Sequence, residues 1–257
     1  MIMRFMDELL IDTQPGWVRL TLNRPAARNA LTTTMLARLA DEMDRLTVDR
    51  TCRVVLIRGA GGHFAAGADI GEIEAKGTAE GRVDPRKGYW ASIGTFPKPL
   101  VAAVDGFCLG GGFELALMAD CLVLGETARV GLPETNLGII PGAGGSQRLL
   151  ALAGRARALR MVLTGEIIDA ATAESWGIAG WRVSGSALPP AEALCATLAG
   201  RAPLALAAAK RAIREGEVGA LAFATERASF EALLDSADKR EGIAAFRAKR
   251  KPEFRGE

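Results

Sequence analysis

Apolar residues along this chain follow two rhythms, one suited to strands and one to helices. Residues 8–12 and 17–22 (WVRLTL) read as strands joined by the turn Gln14-Pro15-Gly16. Asn23-Arg24-Pro25 ends the second, because the residue before a proline is pushed out of helical backbone. Thr32 or Thr33 then caps an amphipathic helix with Met35, Leu36, Leu39, Met43 and Leu46 on its apolar face. The β-branched run RVVLIR (53–58) predicts a buried strand, followed by a glycine-rich loop from Gly59 to Ile70. Residues 72–90 are polar and glycine-containing and are expected to be the most mobile region, with a helix starting at Asp84-Pro85 that carries Tyr89 and Trp90. A strand at 100–104 runs into Gly110-Gly111-Gly112 and an apolar helix with Glu114 in its first turn. A second strand at 121–124 leads to Gly131-Leu132-Pro133-Glu134 and another glycine-rich loop. Helices are expected at 144–153, 155–163 and 169–175, and a strand at 178–183. Beyond Pro189 the pattern is helical only, at 190–200, 203–215, 218–234 and 237–248. The natural division is a mixed body over 1–197 and a helical segment over 198–257.

Composition narrows the function without naming it. The 257 residues are enough for a substantial core, and a net charge of +2 gives no electrostatic footprint for nucleic acid. Cys52, Cys108, Cys121 and Cys195 are widely spaced with no C-x-x-C pair, which suits a reduced cytoplasmic protein. The apolar stretch from Leu100 to Gly125 is interrupted by Asp105, Glu114 and Asp120, so it reads as soluble core rather than a membrane span. The N-terminus turns acidic too early for a secretory signal. The basic tail from Arg247 to Arg255 reads as a solvated helix end.

Several chemistries are removed by inspection. The run Gly142-Ala143-Gly144-Gly145-Ser146-Gln147 begins like a dinucleotide fingerprint but has Gln147 where the third glycine belongs. The sequence has no phosphate-loop lysine motif and no G-x-S-x-G elbow. A single histidine, His63, argues against a histidine metal site and weakens any serine–histidine triad. Cofactor-free acid–base chemistry remains. The candidates are Glu114 and Glu134, carboxylates in apolar surroundings beside glycines that let backbone N–H groups approach a ligand. Each feature also has a plain structural reading. The triplet could serve close packing, Glu114 could complement a helix dipole, and Glu134 could lie on the surface.

The sequence closely resembles the crotonase superfamily, specifically the enoyl-CoA hydratases. The matching stretches are NRPAARNAL (23–31), HFAAGADI (63–70), KPLVAAVDGFCLGGGFELALMAD (98–120), GLPETNLGIIPGAGGSQRL (131–149) and REGIAAFRAKRKPEF (240–254). Strand–helix alternation alone would suggest a doubly wound sheet. The resemblance implies instead an α/β crotonase-like spiral of ββα units with a helical C-terminal trimerisation region, giving a homotrimer or homohexamer.

The resemblance also implies an acyl-CoA thioester substrate, with coenzyme A part of the substrate and no separate cofactor, metal, nucleic acid or membrane partner. The backbone N–H groups of Ala68 and Gly111 match the pair that binds the thioester oxygen. Glu114 and Glu134 match the glutamates that flank the reacting water, with Glu134 assigned to proton delivery and Glu114 to water activation. Arg28, the loop Ala66, Gly67, Ala68, Asp69 and Ile70, and Phe230 and Lys249 match positions that contact coenzyme A, the last two from a neighbouring subunit in some relatives. Two departures reduce the positive charge expected there: Ala26 and Gly71 stand where lysines are common. Trp90 matches an acyl-pocket position and equally suits a packed aromatic. The activity implied is hydration of a trans-2-enoyl-CoA, with Δ3,Δ2-enoyl-CoA isomerisation or another enolate reaction as the alternative.

Overall fold

A computed structural model describes residues 7–201, 203–215, 230–231, 234–250 and 252. Strands β1 (Leu9–Gln14) and β2 (Trp17–Leu22) form an antiparallel hairpin, with Gly16 in left-handed backbone at the turn. The Thr32 side chain accepts from the Met35 N–H and so fixes the start of α1 (Thr33–Val48). Strand β3 (Val54–Gly59) pairs parallel to β2, and β4 (Leu100–Val104) parallel to β3. Strands β6 (Cys121–Leu124) and β9 (Trp181–Arg182) complete a six-stranded sheet ordered β1-β2-β3-β4-β6-β9. A second sheet holds β5 (Phe107–Leu109), β7 (Arg129–Gly131) and β8 (Ile167–Asp169), in the order β5-β7-β8.

The two sheets explain the topology. Successive passes through β4–β5 and β6–β7 place one strand in each sheet before a helix returns the chain, so the backbone winds as a spiral of ββα units rather than a doubly wound sheet. The segment after β3 follows the same path with a single bridge, Ala65 to Cys108, in place of a full second strand. Strand β3 is apolar on both faces because both are covered. Val55 and Ile57 enter the main core beneath α1, whereas Val54 and Leu56 meet Ala187, Ala191 and Cys195 at helix α9 (Leu188–Ala199).

The polar run 72–90 is more structured than its composition predicts. It forms α2 (Ile70–Glu74), α3 (Thr78–Arg82) and the start of α4 (Arg86–Thr95). Its centre is buried Asp84, whose Oδ2 accepts from Arg86 at 2.7 and 2.9 Å and from Lys76 at 2.8 Å. Burial pushes the Asp84 carboxyl up, but the hydrogen bonds from Arg86 and Lys76 outweigh it and bring the group down to about 2. A depressed carboxyl stabilises the fold above its unfolded value and ceases to do so as pH falls through the folded value. About 2 kcal/mol of stability should therefore fade between about pH 4 and pH 2. Urea unfolding of Asp84→Asn should show a weaker pH dependence than wild type across that interval.

Further along, α6 (Gly145–Ala153), α7 (Arg155–Thr164) and α8 (Ala170–Ser175) lie close to their predicted positions. Helix α10 (Pro203–Glu215) follows α9, and the last described helix is α11 (Ala237–Arg247). The helix expected over 218–234 lies mostly outside the described residues. Helix α11 packs on the mixed body, between the 3₁₀ turn Glu134–Leu137 and α2. Its approach is close. A Cβ on Gly242 would lie 2.5 Å from the Leu137 backbone, and one on Gly138 would lie 2.3 Å from that of Asp238. Buried Lys239 donates to the carbonyls of Ile73, Glu74 and Lys76 at 3.3, 3.4 and 2.7 Å, capping the end of α2 with a cation.

Candidate active site

Loop 63–70 is fixed from several sides before any side-chain chemistry begins. Fully buried Asn29 donates to the carbonyls of Ala60 and His63, both at 2.8 Å. His63 Nδ1 accepts the Phe107 N–H at 3.1 Å and its ring stacks on Phe107, so this histidine serves the loop rather than a triad. Leu31 bonds to Gly67 O and Asp69 N on either side of Ala68. In a parallel bridge that alternation turns the N–H of Ala68 to the opposite side. Asp69 caps α2 through the Gly71 N–H and pairs with Arg24 at 3.0 Å.

The glycine triplet sits against this loop. Gly110 has φ +51, a backbone region open to glycine, and it precedes α5 (Gly111–Ala116). Gly111 opens the helix, so its N–H has no acceptor within it. A Cβ on Gly111 would lie 3.5 Å from Ala68 N, so the two N–H groups border one small space that a side chain at 111 would fill. A Cβ on Gly112 would strike the Ala65 carbonyl at 2.3 Å, so that glycine serves close packing.

The two glutamates meet different glycines, Glu134 beside Gly110 and Glu114 beside Gly145. Glu134 opens the 3₁₀ turn, and its Oε1 lies 3.0 Å from where a Gly110 Cβ would stand. Glu114 is one turn into α5 and only 4% exposed. Its Oε1 accepts from Ala143 N at 2.7 Å and Gly145 N at 3.0 Å, at the start of α6. Burial pushes the Glu114 carboxyl above its ordinary value. The N–H groups of Ala143 and Gly145, the Arg148 charge and the N–H of Gly142 oppose that rise. Burial is the largest of these effects, so the carboxyl stays above its ordinary value. Sequence reasoning passed over Ala143, Gly145 and Arg148 because the first two act through backbone N–H groups. The available signal was a glycine-rich loop that opens a helix, an arrangement suited to receiving an anion.

Gly145 leaves little room for a side chain. A Cβ there would lie 2.8 Å from Glu114 Cγ and 3.0 Å from its Oε1. Gly145→Val is therefore expected to displace the carboxylate, with overpacking that costs about 1–3 kcal/mol. Thermal unfolding together with steady-state kinetics should give a folded protein whose kcat falls far more than its Tm suggests.

The remaining predicted contacts are placed around this cluster at different distances. Ala66 donates its N–H to the Arg28 carbonyl at 2.9 Å, and the exposed Arg28 guanidinium lies 5.3 Å from the Phe107 ring centre. Ala68 and Ile70 border a cluster with Phe230, Ile73, Ile139, Leu234 and Ile243. Phe230 belongs to the same chain and is buried over Gly142, where a Cβ would lie 2.8 Å from the ring. Trp90 is half-buried against the main core. Lys249 is exposed in left-handed backbone just past α11, whose Arg247 pairs with Glu74 of α2. Among the described residues no helix is long and apolar enough to cross a membrane.

Residues 12–257 match the family model for enoyl-CoA hydratase/isomerase. The chain is 45% identical to 2,3-dehydroadipyl-CoA hydratase of Escherichia coli over 98% of this chain and 100% of that one. It is 40% identical to a probable enoyl-CoA hydratase of Rhizobium meliloti over 97% and 98% of the two chains. The solved structure of carnitinyl-CoA hydratase from Mycobacterium avium superposes with a TM-score of 0.87 at 33% identity, covering 97% of this chain and 99% of that one. With the spiral of ββα units and matches that run nearly from end to end, the chain belongs to the enoyl-CoA hydratase/isomerase family of the crotonase superfamily, a family of enzymes acting through the crotonase fold.

Proposed function

We propose that this enzyme adds water across the 2,3 double bond of a trans-2-enoyl-CoA to give a 3-hydroxyacyl-CoA. The observation that carries the reading is that the N–H groups of Ala68 and Gly111 border one small space at the head of α5, with Glu134 beside Gly110 and Glu114 in the first turn of the same helix. The thioester oxygen sits between the two N–H groups. Glu114 takes a proton from water as its oxygen bonds to C3, and electrons move from the double bond onto the thioester oxygen. The two N–H groups stabilise that enolate charge, which is largest near the transition state. Glu134 delivers a proton to C2, the carbonyl reforms, and exchange with solvent restores both carboxyl groups. Burial of Glu114, which holds its carboxyl above the ordinary value, beside a half-buried Glu134 suits this sequence.

The coenzyme A portion lies along Arg28 and the loop Ala66, Gly67, Ala68, Asp69 and Ile70, with Phe230 and Lys249 on the α11 side. No separate cofactor takes part in this reading. Hydration of crotonyl-CoA, followed by loss of its enone absorbance, tests it directly. Longer 2-enoyl-CoAs and 2,3-dehydroadipyl-CoA then define the acyl chain preferred, the last because a relative is named for it. Wild-type enzyme that leaves every one of these unhydrated would overturn the reading.

The protein assembles as a homotrimer or homohexamer in this reading. Support comes from exposed Leu150, Leu152, Leu163, Trp181 and Ile213, apolar surface that closed symmetry would cover. Sedimentation equilibrium at micromolar concentration should give three or six protomers, and a monomer would sink the assembly.

A further inference from the structure

Arg148 has no part in the chemistry above, yet it holds the loop that holds Glu114. We infer that Arg148 is a positioning residue for hydration, fixing the 142–145 loop so that its N–H groups converge on one oxygen of Glu114 and leave the other oxygen for water. This inference rests on the hydratase reading.

The geometry is specific. Arg148 Nη1 donates to the Ala143 carbonyl at 2.8 Å, while the Ala143 N–H donates to Glu114 Oε1 at 2.7 Å. Ala143 is thus held from both ends, by the guanidinium and by the carboxylate. The Arg148 N–H also bonds to the Gly144 carbonyl at 3.1 Å, tying the side chain's own backbone to the same loop. Its guanidinium reaches α4, where a Cβ on Gly94 would lie 3.7 Å from Nη2. A planar, always charged fork suits this role because one nitrogen bonds a carbonyl while the charge acts on a nearby carboxylate.

Arg148 approaches from α6, and Glu134 borders Gly110 at the head of α5. From α4, the residue beside the guanidinium is uncharged Gly94. The far side of Arg148 opens on a groove also lined by Asp120, Lys210 and Arg214, where Lys210 pairs with Asp120 at 2.7 Å. The Arg148 charge acts on Glu114 and favours the ionised carboxylate that water activation requires. Removing that cation raises the pKa of Glu114, so a larger fraction is protonated and inactive at a given pH.

The test compares full-length Arg148→Gln and Arg148→Lys with wild type. The Glu114 carboxyl is followed by ¹³C NMR in free enzyme labelled at glutamate, its resonance assigned by its loss in Glu114→Gln. In Arg148→Gln the Glu114 midpoint should rise by about one pH unit, and the acid limb of kcat/KM should move with it. Its kcat for crotonyl-CoA should fall about ten- to hundredfold while KM changes little. Arg148→Lys keeps the charge, so Glu114 should titrate near its wild-type midpoint while kcat falls because the bond to Ala143 is lost. Unchanged titration of Glu114 in Arg148→Gln overturns the inference, as does a raised KM with kcat preserved. If Arg148→Gln does not fold, Arg148→Lys decides, and full kcat in that variant overturns it. Failure of the wild type to hydrate any of the 2-enoyl-CoAs named above defeats the hydratase reading instead, and leaves the NMR comparison standing.

Discussion

Glu114→Ala is expected to lose hydration of crotonyl-CoA by roughly 10²–10⁴-fold, the range over which a positioned acid or base contributes. Hydration uses one group for the water proton and another for the proton placed on C2. Moving a double bond from C3 to C2 requires only one group that carries a proton between carbons. Glu114→Ala should therefore retain some 3-enoyl to 2-enoyl isomerisation, whereas Glu134→Ala should lose both reactions. Glu114 is buried among apolar residues, so the alanine leaves a cavity and a loop whose N–H groups have lost their carboxylate acceptor. Glu114→Gln fills that space and isolates the chemical effect. Both substrates should be assayed with each variant, and folding checked by circular dichroism. Hydration by Glu114→Ala near the wild-type rate would overturn the two-carboxylate mechanism and move isomerisation ahead.

The second large effect is expected at Gly111. Proline is tolerated at the first position of a helix, where its missing N–H would have no intrahelical acceptor. Gly111 occupies that position, so Gly111→Pro removes a donor from the site without breaking the ladder of α5. Losing one such donor corresponds to about 3–4 kcal/mol, or roughly 10²–10³ in kcat. The proline ring also enters the space between Gly111 and Ala68, where even a Cβ would stand 3.5 Å from the second donor. Gly111→Ala keeps the N–H but narrows that space, so its loss should be smaller and should appear partly in KM. A folded Gly111→Pro enzyme with normal turnover would mean that the oxyanion donor lies elsewhere.

Much of this architecture can be read in the sequence, and what cannot has physical reasons. The apolar runs that become β2, β3, β4 and β6 are long enough to show burial, and Thr32 announces α1 through its cap. The second sheet escapes because β5, β7 and β8 are three residues each, too short to display alternation. Residues 72–90 mislead because their polar groups pair with one another out of water, as Asp84 does with Arg86 and Lys76. At the site, side-chain carboxylates stand out among leucines and glycines. The N–H groups of Ala143 and Gly145 do not, since their residue identities say only that the backbone comes close.

The seating of α11 has a consequence for how the candidate site is held. This helix touches the turn that begins with Glu134, and its Lys239 caps α2, the helix that begins two residues beyond Ala68. The two walls of the candidate site therefore share one strut. A substitution that loosens α11 should reach the Ala68 and Glu134 sides together without touching either residue, so the separation of the two walls is set at a distance from both.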